Sequence, residues 1–379
     1  MLWKMRIGID YRAALHASDG IARYTRELVR ALGALAVEDE ILLFASTWRE
    51  PAGERAALDA AVAPARLWRR KVPSRLAASW MNLSAGGADR WLGGVDVFHH
   101  TQAHVMPVRD ACEVATLHDC IYVESPELVT RANSRRMTDS ARRAALRARA
   151  LIVPSAFTRA QVLRCFGVEP ERIHVVPLGI DHLLRPASPH PGARAERYVL
   201  TVARVELRKN HVVMVRAFEL AVRAGVGGRW IGAGASGHGA ETFERALADS
   251  SVRERVDVRG EVDERELGAL YAGASAFLFL SRAEGFGIPP LEALASGVPT
   301  IVADAGSLPE VCGDAATCVA PDDFEGAARA LVSVLSDREL AAAHARRGRA
   351  HAERYTWRRA AEATLAVYRT ALAAGRVAK

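Results

Sequence analysis

A chain of 379 residues, half hydrophobic and a quarter charged, exceeds one ordinary domain of roughly 100–200 residues and is too apolar for disorder, so two packed domains are expected. Collagen and coiled coil are excluded by the same composition, and no apolar run approaches the roughly 18–20 residues that cross a bilayer. The net charge is +7, carried by 51 basic residues of which four are lysine, against 44 acidic ones. Five scattered cysteines without a Cys-x-x-Cys pair suggest neither a disulfide framework nor a zinc site. With no signal-like segment ahead of the first strand, a cytoplasmic location is expected.

In chain order, residues 5–10 read as an apolar strand, and Asp19-Gly20 opens a helix over residues 20–35. Strands are expected at 41–44, 95–99 and 113–117. Between the first two of these, Arg66, Arg69, Arg70, Lys71 and Arg75 cluster among Leu67, Trp68, Leu76 and Trp80. Residues 131–149 read as a surface helix. At 100° per residue Arg131, Arg135, Arg142 and Arg149 share one stripe, while Met137, Ala141, Ala144 and Ala148 share an apolar one. These arginines are either a solvated face or an attraction for an anionic membrane surface. Nucleic acid is not expected, because no finger, recognition helix or aromatic-basic sheet pattern occurs.

Strands at 151–153 and 173–176 flank a helix at 156–166. Three prolines and a glycine within 186–192 then mark a linker between domains joined near residues 182–196. Beyond it come strands at 198–203, 229–231, 256–259, 276–280, 300–303 and 317–319. Helices at 210–223, 264–272 and 290–295 lie among them, and a terminal helix at 361–373 is placed to pack back on the first domain. Apolar strands alternating with helices imply parallel sheets covered on both faces. The fold class is therefore α/β, with two doubly wound, Rossmann-like domains. The expected division is 1–185, 186–360 and a terminal helix in 361–379.

In such sheets ligands lie beyond the carboxyl ends of the strands. After the strand at 276–280 comes Glu284-Gly285-Phe286-Gly287-Ile288-Pro289-Pro290-Leu291-Glu292. Its glycines admit a ligand to the backbone, its prolines suit a helix start, and its two carboxylates offer acceptors to hydroxyl donors such as those of sugars. After the strand at 198–203 come Arg204 and Lys209, a guanidinium fork and an ammonium suited to a diphosphate. His118 follows the strand at 113–117, where an imidazole exchanges protons near neutral pH. His99 and His100 either line an acceptor or cap their strand. Gly232-Ala233-Gly234-Ala235-Ser236-Gly237 matches a dinucleotide fingerprint but reads as a turn.

These residues resemble the group 1 glycosyltransferases, family 4. The likeness extends over Glu284–Glu292 with the following Gly297-Val298-Pro299 and Gly306-Ser307-Leu308-Pro309-Glu310, over Arg204 to Asn210, over His174 to Asp181, and over Gly20 to Leu28. The resemblance implies a GT-B fold, with an acceptor-binding first domain facing a nucleotide-sugar-binding second across a cleft, and retention of anomeric configuration. It implies that Glu284 and the Phe286 and Gly287 amides hold the donor sugar, that Arg204 and Lys209 hold the diphosphate, and that Glu292 holds the ribose. It adds a contact from His118 to the sugar and donor-side roles for Gly20, Gly285, Ile288 and Leu291. Neither a metal nor a cofactor is expected.

The function expected is transfer of a hexose, with mannose from GDP-mannose the first choice and a UDP-sugar the alternative. The acceptor is a saccharide or polyprenyl-linked saccharide of bacterial surface polysaccharide or lipopolysaccharide, with peripheral contact to the inner membrane face. A GT-B phosphorylase or nucleotide-sugar epimerase shares the architecture and is the rival.

Overall fold

The computed structural model of the chain describes residues 4–15, 19–36, 38–48, 62–84, 86–183 and 197–377. The proline-rich stretch read as the linker, 186–192, lies outside the described residues. The chain divides into two compact units, one of Met1–Val123, Arg135–Gly179 and Thr356–Lys379, the other of Glu124–Ser134 and Ile180–Tyr355.

The first unit is built on strands β1 (Arg6–Asp10), β2 (Glu40–Ser46), β3 (Arg66–Arg70), β4 (Val97–His100), β5 (Cys112–Thr116), β6 (Ala150–Val153) and β7 (Ile173–Val175). They form one parallel sheet in the order β3-β2-β1-β4-β5-β6-β7. The central strands carry apolar side chains on both faces because both faces are covered, so Ile7, Ile9, Leu43, Phe44, Val97 and Phe98 are all buried. The edge strand β3 is different. Its sequence, Arg-Leu-Trp-Arg-Arg, reads as a basic cluster and not as a strand, and its side chains are at most partly buried.

Helix α1 (Gly20–Leu35) starts where the Asp19 carboxylate accepts from the Ala22 amide at 2.9 Å, a side-chain N-cap. Helix α2 (Ser74–Leu83) follows β3, and helix α3 (Arg131–Arg147) docks through Ser140, Ala141, Ala144 and Ala145. The four-arginine stripe read from the sequence is one residue too long, since Arg149 lies past the end of α3. Helix α4 (Ala156–Phe166) ends on a left-handed Gly167. The terminal helix, α11 (Trp357–Val377), belongs to this unit and packs along α1, β5 and β6.

The second unit holds β8 (Tyr198–Val202), β9 (Arg229–Ala233), β10 (Val256–Gly260), β11 (Ala276–Phe279), β12 (Thr300–Ala303) and β13 (Thr317–Val319). This sheet is also parallel, in the order β10-β9-β8-β11-β12-β13. Helices α5 (His211–Arg223), α6 (Ala240–Ala248), α7 (Glu264–Gly273), α8 (Ile288–Ala295), α9 (Phe324–Ser336) and α10 (Arg338–Ala352) cover it. Met214, Phe218, Trp230, Leu278 and Leu331 form part of one core beneath α5 and α9. The glycine run after β9 does not open a helix. It continues beside the loop after β8, bridging Ser236 to Val205, and α6 begins only at Ala240.

Candidate active site

The strand order of the second sheet reverses between β8 and β11, so the loops leaving these neighbours diverge and leave room at their carboxyl ends. Both sequence motifs of this unit emerge there. The loop after β8 runs from Ala203 to Asn210, and Asn210 takes a left-handed conformation (φ 62°) that turns the chain directly into α5. Its side-chain amide donates to the Pro321 carbonyl at 2.7 Å. The loop after β11 is stitched to the first one, because the Arg282 amide donates to the Arg208 carbonyl at 2.8 Å and the Ser281 hydroxyl to the same oxygen at 3.1 Å.

This stitching brings Glu284 onto two cations. Its carboxylate accepts from the Lys209 ammonium and, at 3.1 Å, from the Arg208 guanidinium, with the Lys209 ammonium also 4.8 Å from the centre of the Phe279 ring. Burial by itself would raise the Glu284 carboxyl, but the charges of Lys209 and Arg208 outweigh it and hold the group below the usual carboxylate range. Burial and the like charge of Arg208 lower Lys209, and the pairing with Glu284 opposes them only in part. Arg208 was passed over in the sequence, where all three cations lie within six residues and only side-chain placement separates them. Arg204 does not join the cluster: its guanidinium lies 3.7 Å from Glu206 and reaches the Ser236 carbonyl at 3.5 Å, at the exposed lip of the loop.

The backbone of the glycine loop is held from behind. Ser307 lies with its hydroxyl 3.0 Å from the Glu284 carbonyl and 2.9 Å from that of Phe286, and its amide also donates to Glu284. The Phe286 ring packs edge-on against Tyr355, which leaves its main chain as the part that can meet a ligand. Gly287 sits at φ 106°, a conformation that disfavours side chains, immediately before α8. Pro289 and Pro290 carry no amide hydrogen, so the donors of this helix start are confined to the residues around Gly287 and Ile288. Leu291 is fully buried on the core face of α8.

Glu292 is also fully buried, and its carboxylate is engaged: it accepts from the Tyr271 hydroxyl at 2.8 Å and faces His182 Nε2 at 3.2 Å. A carboxylate has about four lone-pair positions and can accept from several donors at once. Nothing in the sequence joins Tyr271 and His182 to Glu292, since they lie 21 and 110 residues away from it.

His118 follows β5 and its Nε2 donates to the Thr101 carbonyl at 2.9 Å, so in the neutral ring Nδ1 is the acceptor. Burial depresses its pKa, and the Thr101 bond and the charges of Asp119 and Asp19 offset this only in part, which keeps the ring neutral at pH 7. Gly20 is the first residue of α1 behind the Asp19 cap. His99 and His100 do not line an open surface: both are buried strand residues. His99 lies 2.7 Å from the Tyr368 hydroxyl and 2.8 Å from that of Thr116, while His100 meets Glu113 at 3.2 Å.

Comparison with known proteins gives the arrangement its place. Two family models match in succession, "Glycosyltransferase Family 4" over residues 18–182 and "Glycosyl transferases group 1" over residues 188–351. The O-antigen chain mannosyltransferase B of Escherichia coli is 27% identical over 367 residues, 92% of this chain and 96% of that protein. An MMP alpha-(1->4)-mannosyltransferase of Mycolicibacterium hassiacum is 31% identical over 59% of this chain and 54% of its own length. Among solved structures, a sucrose-phosphate synthase from Thermosynechococcus elongatus superposes with a TM-score of 0.74 at 19% identity, covering 98% of this chain and all of that one. The Anabaena protein HepE, solved in complex with UDP and glucose, gives 0.74 at 16% identity over 97% of this chain and all of its own. The paired domain matches and the shared two-sheet architecture agree with the strand-end motifs, and the chain belongs to the group 1 glycosyltransferases, as a transferase enzyme of the GT-B fold.

Proposed function

We propose that the enzyme is a retaining mannosyltransferase that draws on GDP-mannose and extends a lipid-linked saccharide in the assembly of bacterial surface polysaccharide. One observation carries the choice of sugar: the likeness to an O-antigen chain mannosyltransferase runs through nearly the whole of both chains. The chemistry is supported by the cluster at the switch point of the second sheet. A diphosphate approaching the loop after β8 finds Arg204 at the lip and Lys209 behind it. In this reading both neutralise the charge that grows on the departing diphosphate, preorganised in the way that lowers such barriers most effectively.

Glu284 takes the sugar hydroxyls together with the amides at Phe286 and Gly287, and the Gly285–Leu291 segment supplies the shape of that pocket. Glu292, on α8, takes the ribose hydroxyls. His118, neutral, accepts from a sugar hydroxyl at Nδ1 and carries no charge into the reaction. The acceptor hydroxyl attacks the anomeric carbon on the face that the diphosphate leaves, the bond from that carbon to the phosphate oxygen breaks, and the departing oxygen takes the acceptor proton. Configuration is then retained without a covalent enzyme intermediate. Because the two cations carry the leaving-group charge, turnover is independent of added divalent ions.

A thermal-shift screen of GDP-mannose against UDP-glucose, UDP-N-acetylglucosamine and the free nucleotides tests this, since a ligand of the folded state raises its melting temperature. GDP-mannose and GDP are expected to give the largest shifts, and mannosyl transfer to survive EDTA. A shift with UDP-sugars alone, or sugar interconversion without an acceptor, refutes the assignment.

A further inference from the structure

Among the described residues seven large apolar side chains are strongly exposed, and four of them lie on one rim of the first unit. Helix α2 buries Ala77 and Met81 inward, but its outward stripe at i, i+4 and i+7 is Leu76, Trp80 and Leu83, which are 61%, 59% and 87% exposed. A surface helix normally turns polar residues outward. Trp48, 73% exposed, follows β2 on the same rim. The elements are tied there, since the Ser74 hydroxyl donates to the Ser46 carbonyl at 2.6 Å and the Thr47 amide to the Arg70 carbonyl at 3.2 Å.

Along the described segment that carries this stripe the charges have one sign. Residues 62–84 contain five basic and no acidic side chains, and Arg70, Lys71 and Arg75 among them are exposed. A self-complementary contact between two copies would set these like charges against each other, whereas an anionic lipid surface matches both the apolar stripe and the cationic border. The position matters as well. Trp48 and the start of α2 lie at the carboxyl ends of β2 and β3, the same end of the sheet that carries Thr101 and His118. From there α2 runs toward Arg109, just ahead of β5, where the Arg109 guanidinium meets the Met81 carbonyl at 3.4 Å.

We propose that this rim is an interfacial membrane-docking surface, in which Leu76, Trp80, Leu83 and Trp48 enter the headgroup–acyl boundary while Arg70, Lys71 and Arg75 meet anionic headgroups. It rests on the preceding reading only for the lipid nature of the acceptor, and its test does not involve the sugar. The full chain is sedimented at low salt with vesicles of equal parts phosphatidylglycerol and phosphatidylcholine, and with phosphatidylcholine alone. Binding is expected to the anionic vesicles and to be lost at high salt. The double variants Leu76→Ser/Leu83→Ser and Lys71→Glu/Arg75→Glu are each expected to lower the partition at least about tenfold, with the melting temperature unchanged. Failure of the native chain to sediment, or sedimentation of both variants at the native level, overturns the proposal. So does a native dimer that the variants convert to monomer without any change in vesicle binding.

Discussion

At Glu284 the enzyme holds a carboxylate against two cations, so a donor that binds either side must displace one partner from another. Removing the acid and removing the base therefore have opposite effects on the nucleotide. Glu284→Ala is expected to lower turnover about 100- to 1000-fold, the range for losing one preorganised transition-state contact. It should leave GDP binding intact or tighter in calorimetry, because Lys209 loses its counterion while Arg208 keeps its pair with Glu206 at 2.9 Å. Lys209→Ala leaves the buried carboxylate with Arg208 alone and should cost about 3 kcal/mol in stability. Arg204→Ala, at the lip, should leave stability unchanged while weakening GDP by about 1.5–3 kcal/mol. Equal losses of GDP affinity in all three variants would refute this division. The sequence made the acid and its cations legible as residue types beside two strand ends. It could not show which cation reaches the acid, because Arg204, Arg208 and Lys209 share one short loop and only side-chain placement separates them.

Among elements, the central strands were legible for one physical reason: burial on both faces demands near-continuous apolar runs. Edge strand β3 escaped because no such demand falls on an exposed edge, where arginines fit as well as valines. His99 was ambiguous in the sequence because its partner, Tyr368, stands 269 residues away on α11. That contact has a pH signature. Burial, reinforced by the nearby charges of His100 and His118, lowers the His99 pKa to about 3 from an ordinary 6.5. Between those values the unfolded chain binds a proton that the native protein does not. Stability is therefore complete above pH 6.5 and declines on acidification, by about 1.4 kcal/mol per pH unit for this group. Melting temperatures of His99→Gln should fall less steeply than those of the native protein between pH 6.5 and 5; parallel curves would exclude the histidine as a source of acid lability.

For the molecule as a whole, both parallel sheets and the strand-end motifs could be anticipated from the alternation of apolar strands with helices, while the return of the chain to its first unit depends on one face of one helix. That return makes the first unit discontinuous, with 176 residues of the second, Ile180–Tyr355, inserted before its last helix. During synthesis the order of completion is therefore inverted. The inserted unit has its whole sheet in hand while the earlier-made one still waits for α11 to cover α1 and to meet His99. A chain stopped at Tyr355 should expose that apolar groove, bind a hydrophobic dye and precipitate, and a peptide of residues 356–379 added in trans should restore solubility. A ribosome-bound intermediate of this enzyme thus needs protection at its oldest segment, and for the longest time.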